Sequence, residues 1–290
     1  MPTGPIGVAG DWWDSIEVAP SDPQRIYVTG FRMSSGMPRQ RLLFRSVDGG
    51  GSWQQLSTAG FVGTNNSDLQ LAALSPTDPD LVFMRVTLVG PTLQEAIYRS
   101  LDGGTIWTKV LDLPDLIPGV VVRGDGEVWA TTPFRGLYRS VDGGAQFARV
   151  PDVMFEGRCL TERADGTLFL CTNNLPPDGA TIQTSTTGTG GWTRKLAYAD
   201  IAGPVRCEVG TVQQVDCEAL LWCGLKGNLG IVSEDIVCPT ETDAGLTDAG
   251  IDAAALDSPR DKGCCSTGAG PDATAAIALL GLLRIHRRRR

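Results

Sequence analysis

The chain has 290 residues, with 36 Gly, 18 Pro, only 7% aromatic residues and a net charge of −8. So turn-rich a composition suits an all-β fold of many short strands, and the acidic body, with clustered arginines confined to the tail, argues against nucleic acid as partner. The one histidine, His286, lies among the tail arginines, so the body has no imidazole for a Ser-His-Asp triad, a Cys-His pair or a His-based zinc site.

Met1 to Gly10 is rich in Gly and Pro, with neither a basic n-region nor an apolar run, so it does not read as a signal peptide. The cysteines and the tail nevertheless imply export, and the expectation is a start further upstream carrying a leader and additional repeats. Trp12 and Trp13 follow. They read either as a plug between the first repeat and its neighbour, which is favoured, or as an aromatic binding pair.

Two alternating strands flank a Pro-Ser/Thr-Asp-Pro turn at Ile16–Val28, and the same pattern returns at 72–84. In 120–129 and 161–170 an Asp-Gly turn takes its place. After each hairpin comes a further strand, such as Leu43-Phe44-Arg45, that runs into a glycine turn. The first such turn is Ser46-Val47-Asp48-Gly49-Gly50-Gly51-Ser52-Trp53. Ser100, Asp102, Gly104 and Trp107 repeat it, as do Ser140, Asp142, Gly144 and Phe147. A degenerate copy runs from Ser185 to Trp192, with Thr187 in place of the Asp. Gly-Gly supplies positive φ without steric cost, the carboxylate accepts backbone N–H groups, and the aromatic folds back as an apolar plug.

The serines of these copies fall roughly 40–54 residues apart, the length of a four-stranded propeller blade. The spacing predicts blades over 11–60, 66–112, 115–150 and 154–196, with 200–238 as a fifth blade or a ring closure. Val205–Val209 and Leu220–Leu225 read as strands of that last part. The motif resembles the Asp-box of bacterial neuraminidase (BNR) repeats, found in sialidase- and sortilin-type propellers. The resemblance implies a β-propeller over residues 1–238, with the Asp-boxes at the blade periphery as structural elements and not as calcium or catalytic sites.

Six cysteines, Cys159, Cys171, Cys207, Cys217, Cys223 and Cys238, fall in the second half of this body and point to an oxidising compartment. Around the Asp165-Gly166 turn, Cys159 and Cys171 are placed on adjacent antiparallel strands, offset by about one position and close enough to bridge. Two further bonds among the other four are expected.

Residues 239–262 repeat Thr-Asp-Ala-Gly and have few large apolar residues, which predicts a disordered acidic linker. Residues 263–290 then combine Cys264-Cys265, an apolar run from Ala273 to Leu283 and an arginine cluster. This order of parts resembles the MYXO-CTERM sorting signal of myxobacterial surface proteins. It implies membrane attachment through the tail, sorting or lipidation at Cys264 or Cys265, and display at the cell surface.

For function, two classes stand. Asp-box propellers of the sortilin and photosystem-assembly types bind partners without chemistry, which favours a non-enzymatic scaffold with an unidentified protein or polysaccharide ligand and no cofactor. The alternative is a sialidase- or xyloglucanase-like glycosidase. Tyr27, Tyr98 and Tyr138 occupy strand-core positions, leaving Tyr198 as the remaining candidate nucleophile for a sialidase, without an Arg-rich setting. Paired-carboxylate hydrolysis stays open, because 33 acidic residues offer many pairs.

Overall fold

The structure, a computed structural model, describes residues 6–8, 10–37, 39–61, 68–88, 92–201, 203 and 221–231. The chain divides into two compact units, Met1–Ala197 and Tyr198–Arg290.

The first unit is all-β. It holds four four-stranded antiparallel sheets, each built from consecutive strands. The first blade comprises β1 (Asp11–Ala19), β2 (Asp22–Arg32), β3 (Gln40–Ser46) and β4 (Gln54–Gln55). The second comprises β5 (Asp68–Leu74), β6 (Val82–Leu88), β7 (Gln94–Ser100) and β8 (Thr108–Leu113). The third has β9 (Gly119–Val122), β10 (Val128–Thr132), β11 (Gly136–Ser140) and β12 (Ala148–Arg149). The fourth has β13 (Cys159–Glu162), β14 (Leu168–Cys171), β15 (Ile182–Ser185) and β16 (Thr193–Leu196). The phase predicted from the repeats is therefore the phase of the blades. The first strands of successive blades adjoin, β1 with β5, β5 with β9 and β9 with β13, so they line the inner side of the array.

Each β1–β2-type hairpin is turned by an Asp whose carboxylate accepts the N–H two residues on. Asp22 takes Gln24 N at 3.0 Å, Asp78 takes Asp80 N at 2.9 Å, Asp125 takes Glu127 N at 3.0 Å and Asp165 takes Thr167 N at 3.0 Å. Two different turn sequences thus use one local bond. The Asp-boxes lie at the same end of the blades: Gly49 N donates to Gln24 O and Gly103 N to Asp80 O, both at 2.9 Å.

Blades are joined by apolar cores at their faces. Tyr27, Leu43, Leu69, Leu71, Val82 and Met84 pack between the first and second. Phe83, Ile97, Val122 and Val128 do so between the second and third, and Trp129, Leu137, Leu160 and Leu168 between the third and fourth. One aromatic per joint recurs at a fixed place, Tyr27 on β2, Phe83 on β6 and Trp129 on β10, each fully buried. A glycine of the next box lies directly over it in the second and third joints. A Cβ at Gly144 would stand 2.4 Å from Phe83 Cζ, and one at Gly188 would stand 2.4 Å from Trp129 Cη2. Glycine is required there for closeness as well as for its φ of +81° and +70°. Polar clasps reinforce the joints. Arg45 donates to Gly103 O of the next box at 2.8 Å, Tyr27 Oη donates to Pro79 O at 3.0 Å, and Arg123 pairs with Glu162 at 2.7 Å.

Cys159 and Cys171 are bridged, with Cα atoms 4.9 Å apart. They stand directly opposite in the β13–β14 ladder, without the expected one-position offset, because the hairpin turn places Glu162 opposite Leu168. Cys223 is also disulfide-bonded. Cys207, Cys217, Cys238, Cys264 and Cys265 lie outside the described residues, as do the expected strand at Val205–Val209, the linker and the sorting tail.

The second unit corrects one expectation. Of Leu220–Leu225, read as a strand, the described part from Leu221 on instead leads into a helix, α1 (Cys223–Leu229). The short apolar run read as a strand equally fits the i, i+3, i+7 spacing of Trp222, Leu225 and Leu229, and the stop signal decides between them. Gly230 takes a left-handed φ of 66° and donates to Gly227 O, while Ile231 N donates to Lys226 O, the double bond of a Schellman cap. Among the described residues no helix is long and apolar enough to cross a membrane.

Candidate functional site: an aromatic platform on the first blade

The Asp-boxes are closed upon themselves. In the first, Ser46 Oγ accepts Gly50 N at 2.8 Å and donates to Asp48 Oδ1 at 2.8 Å, and that oxygen takes Ser52 N at 2.7 Å. Gly104 N to Ser100 Oγ and Gly144 N to Ser140 Oγ, each 2.8 Å, repeat the bond. Asp102 Oδ1 accepts Thr105 N and Ile106 N, and Asp142 Oδ1 accepts Ala145 N and Gln146 N. Trp53 and Trp107 return their indole N–H to Gly50 O at 3.1 Å and Gly104 O at 2.9 Å, while Phe147 has no such donor. The Ser52 hydroxyl and N–H, together with Ser46, hold Asp48 down at a pKa of about 2. In the degenerate copy Trp192 still bonds Gly188 O at 3.2 Å, and Thr187 donates to Gly190 O where an Asp would accept. Serine, glycine and the aromatic therefore suffice for the turn. Among the described residues, no three or more His, Cys, Asp or Glu converge to hold a metal.

At the opposite end of the blades the connectors are tied by carboxylates. Glu95 takes Ile117 N at 2.5 Å and the Thr87 hydroxyl at 2.7 Å. Asp115 takes Leu116 N at 2.8 Å and Phe134 N at 3.0 Å, and Asp178 takes Glu156 N and Asn173 N. All three residues are buried. Composition alone does not separate these ties from catalytic acids; their place within four residues of a strand end is the signal that could have marked them.

The exposed aromatic surface of the array lies at this same end. Trp12 on β1 is paired in register with Phe31 on β2 and stacks on it, with centroids 6.3 Å apart and planes 9° off parallel. The Arg39 guanidinium lies 3.5 Å from the centroid of the Phe31 ring and pairs with Asp68 Oδ1 at 2.5 Å. Trp12 is 60% exposed and Trp13 42%. The expected plug between blades is thus corrected: Trp12 lies on Phe31 and Trp13 meets Phe44 edge-on at 5.8 Å, both within their own blade.

Carboxylates surround the platform. Asp11 pairs with Arg32 at 2.6 Å, a bond that lowers its pKa. Asp14 sits where the β1–β2 register slips between Trp13 and Ser15, a bulge that turns a side chain out of the ladder. Burial pushes the Asp14 carboxyl up, the charge of Asp68 adds to this, and Arg39 partly opposes it. Burial also raises Glu17. Tyr27 and Tyr98 are buried and Tyr138 is half-buried, in keeping with strand-core positions; Tyr198 belongs to the second unit.

These observations define an all-β, propeller-like array of four Asp-box blades. Over part of its length the chain is similar in sequence to xyloglucanases. No family model matches. The xyloglucanase Xgh74A of Acetivibrio thermocellus is 28% identical over 110 residues, covering 38% of this chain and 13% of that protein. A Paenibacillus xyloglucanase is 29% identical over 111 residues, covering 38% of this chain and 10% of that one. The chain thus spans about an eighth or less of these relatives. Among solved structures, the GH74 xyloglucanase of Xanthomonas campestris aligns over 66% of this chain and 31% of its own, at 19% identity and a TM-score of 0.46. YCF48 of Cyanidioschyzon merolae aligns over 64% of this chain and 56% of its own, at 16% identity and a TM-score of 0.42.

Proposed function

We propose that the protein is a non-enzymatic binding scaffold exposed on the cell surface, with the Trp12–Phe31 stack as its contact surface for a polysaccharide or protein ligand. One observation carries the reading. Trp12 is held rigidly on Phe31 yet remains 60% exposed, while nearby carboxylates Asp11, Asp68 and Glu95 are engaged in ion pairs or backbone ties. An aromatic ring fixed in the open supplies contact area at low entropic cost, and carboxylates already engaged serve the fold first. Display at the surface is proposed from the tail sequence, with Cys264 or Cys265 as the point of processing and the 239–262 linker as a spacer.

A second reading, glycoside hydrolysis, is favoured by Asp14. Its raised carboxyl beside Asp68 is the asymmetry a general acid needs, and the sequence relatives are xyloglucanases. Titrating the full chain with xyloglucan oligosaccharides and a wider polysaccharide panel, with reducing ends measured in parallel, separates the two. Binding that Trp12→Ala weakens, without sugar release, supports the scaffold. Sugar release that Asp14→Asn abolishes overturns it.

A further inference from the structure

A pocket lies on the third blade. It has a volume of about 150 Å³ and is lined by Phe134, Arg135, Tyr138, Arg149 and Met154. The β10–β11 turn that presents it is fully tied. Phe134 N donates to buried Asp115 at 3.0 Å, and the Thr132 hydroxyl accepts Arg135 N at 2.9 Å while donating to Gly136 O at 3.0 Å. Gly136, at φ +79°, leaves no room for a Cβ, which would stand 2.2 Å from Val153 O. Phe134 is therefore 68% exposed by construction, on a backbone with nothing left to fray.

The polar groups of the pocket point to one ligand chemistry. Arg149 is fixed by donating Nε to Arg135 O at 2.9 Å, and its Nη2 lies against Met154 Sδ. The Arg135 guanidinium and the Tyr138 hydroxyl make no hydrogen bond to any described residue. Two guanidinium groups and a phenol beside an exposed ring, on a chain of net charge −8, form a local cationic site within an acidic background. Planar guanidinium forks match carboxylates, and the aromatic face matches the apolar face of a pyranose.

We infer that this pocket binds a carboxylated sugar ring, a uronate unit of an acidic polysaccharide, by salt bridges from Arg135 and Arg149 and ring contact with Phe134. The site is separate from the Trp12 platform and stands or falls independently of it. The test is calorimetric titration of the full-length protein with digalacturonic acid and with its neutral counterpart, digalactose. The acid should bind and the neutral sugar should not. Arg135→Ala, an exposed change that leaves the fold intact, should weaken the acid roughly tenfold, as loss of a charged hydrogen bond does. Phe134→Ala should also weaken it, and Trp12→Ala should leave it unchanged. Equal binding of acid and neutral sugar, affinity unchanged in Arg135→Ala, or no binding at all would overturn the inference. So would tighter binding of a peptide through its free C-terminal carboxylate than of the uronate.

Discussion

Replacing Gly144 with Ala tests how the blades are joined. The new methyl has two costs. At φ +81° an L-residue sits in the left-handed region, worth about 1–2 kcal/mol. Its Cβ would also stand 2.4 Å from Phe83 Cζ and 3.3 Å from Val128 Cγ2, both in fully buried side chains. Overpacking of that kind costs about 1–3 kcal/mol, so the total is roughly 2–5 kcal/mol. Gly143 is the control. Its φ is +70°, but an added Cβ would meet only Arg99 Nη2, at 3.5 Å. Gly143→Ala should therefore show the backbone cost alone, and the unfolded-state gain of an Ala is common to both variants. Urea unfolding of the full chain, followed by tryptophan fluorescence, reads the difference as a shift in midpoint at constant slope. If Gly144→Ala is no more destabilising than Gly143→Ala, the box glycine is needed only for its φ and the proposed contact across the joint carries no energy.

Because the folded-state pKa of Asp48 is depressed to about 2, the support it gives the first box is present above the ordinary carboxylate range and is lost as pH falls towards 2. Asp102 and Asp142 are shifted in the same direction, so the urea midpoint should drop across that acid window, and Asp48→Asn should flatten part of the slope. Converting both Cys159 and Cys171 to Ser should cost about 2–3 kcal/mol, as expected for opening a loop of this size, and should shift the urea midpoint accordingly. For the tail, changing Cys264 and Cys265 to Ala should leave the array folded but abolish surface display. Protease accessibility on intact cells and the mass of the mature C-terminus would check this, and unchanged display would refute the sorting role.

By itself the sequence determined what is local. Strand, turn and Asp-box recur with their own hydrogen bonds, so Ser46–Asp48–Gly50 and Asp22–Gln24 could be read as folded units before any fold was known. Repetition then set the blade boundaries, since a blade alone cannot bury its faces and must stack on copies of itself. The segment after Ala197 has no repeat to set its phase, and its short apolar run fits strand and helix equally until the Gly230 cap resolves it. Tertiary structure alone decided which groups meet across long separations. Glu95 binds Ile117 N from 22 residues away, and Gly144 presses on Phe83 of the preceding blade. It also decided that Trp12 faces outward while Trp129, an equally large apolar residue, is fully buried. Composition cannot separate those two tryptophans, because burial depends on whether a neighbouring blade covers that face of the sheet.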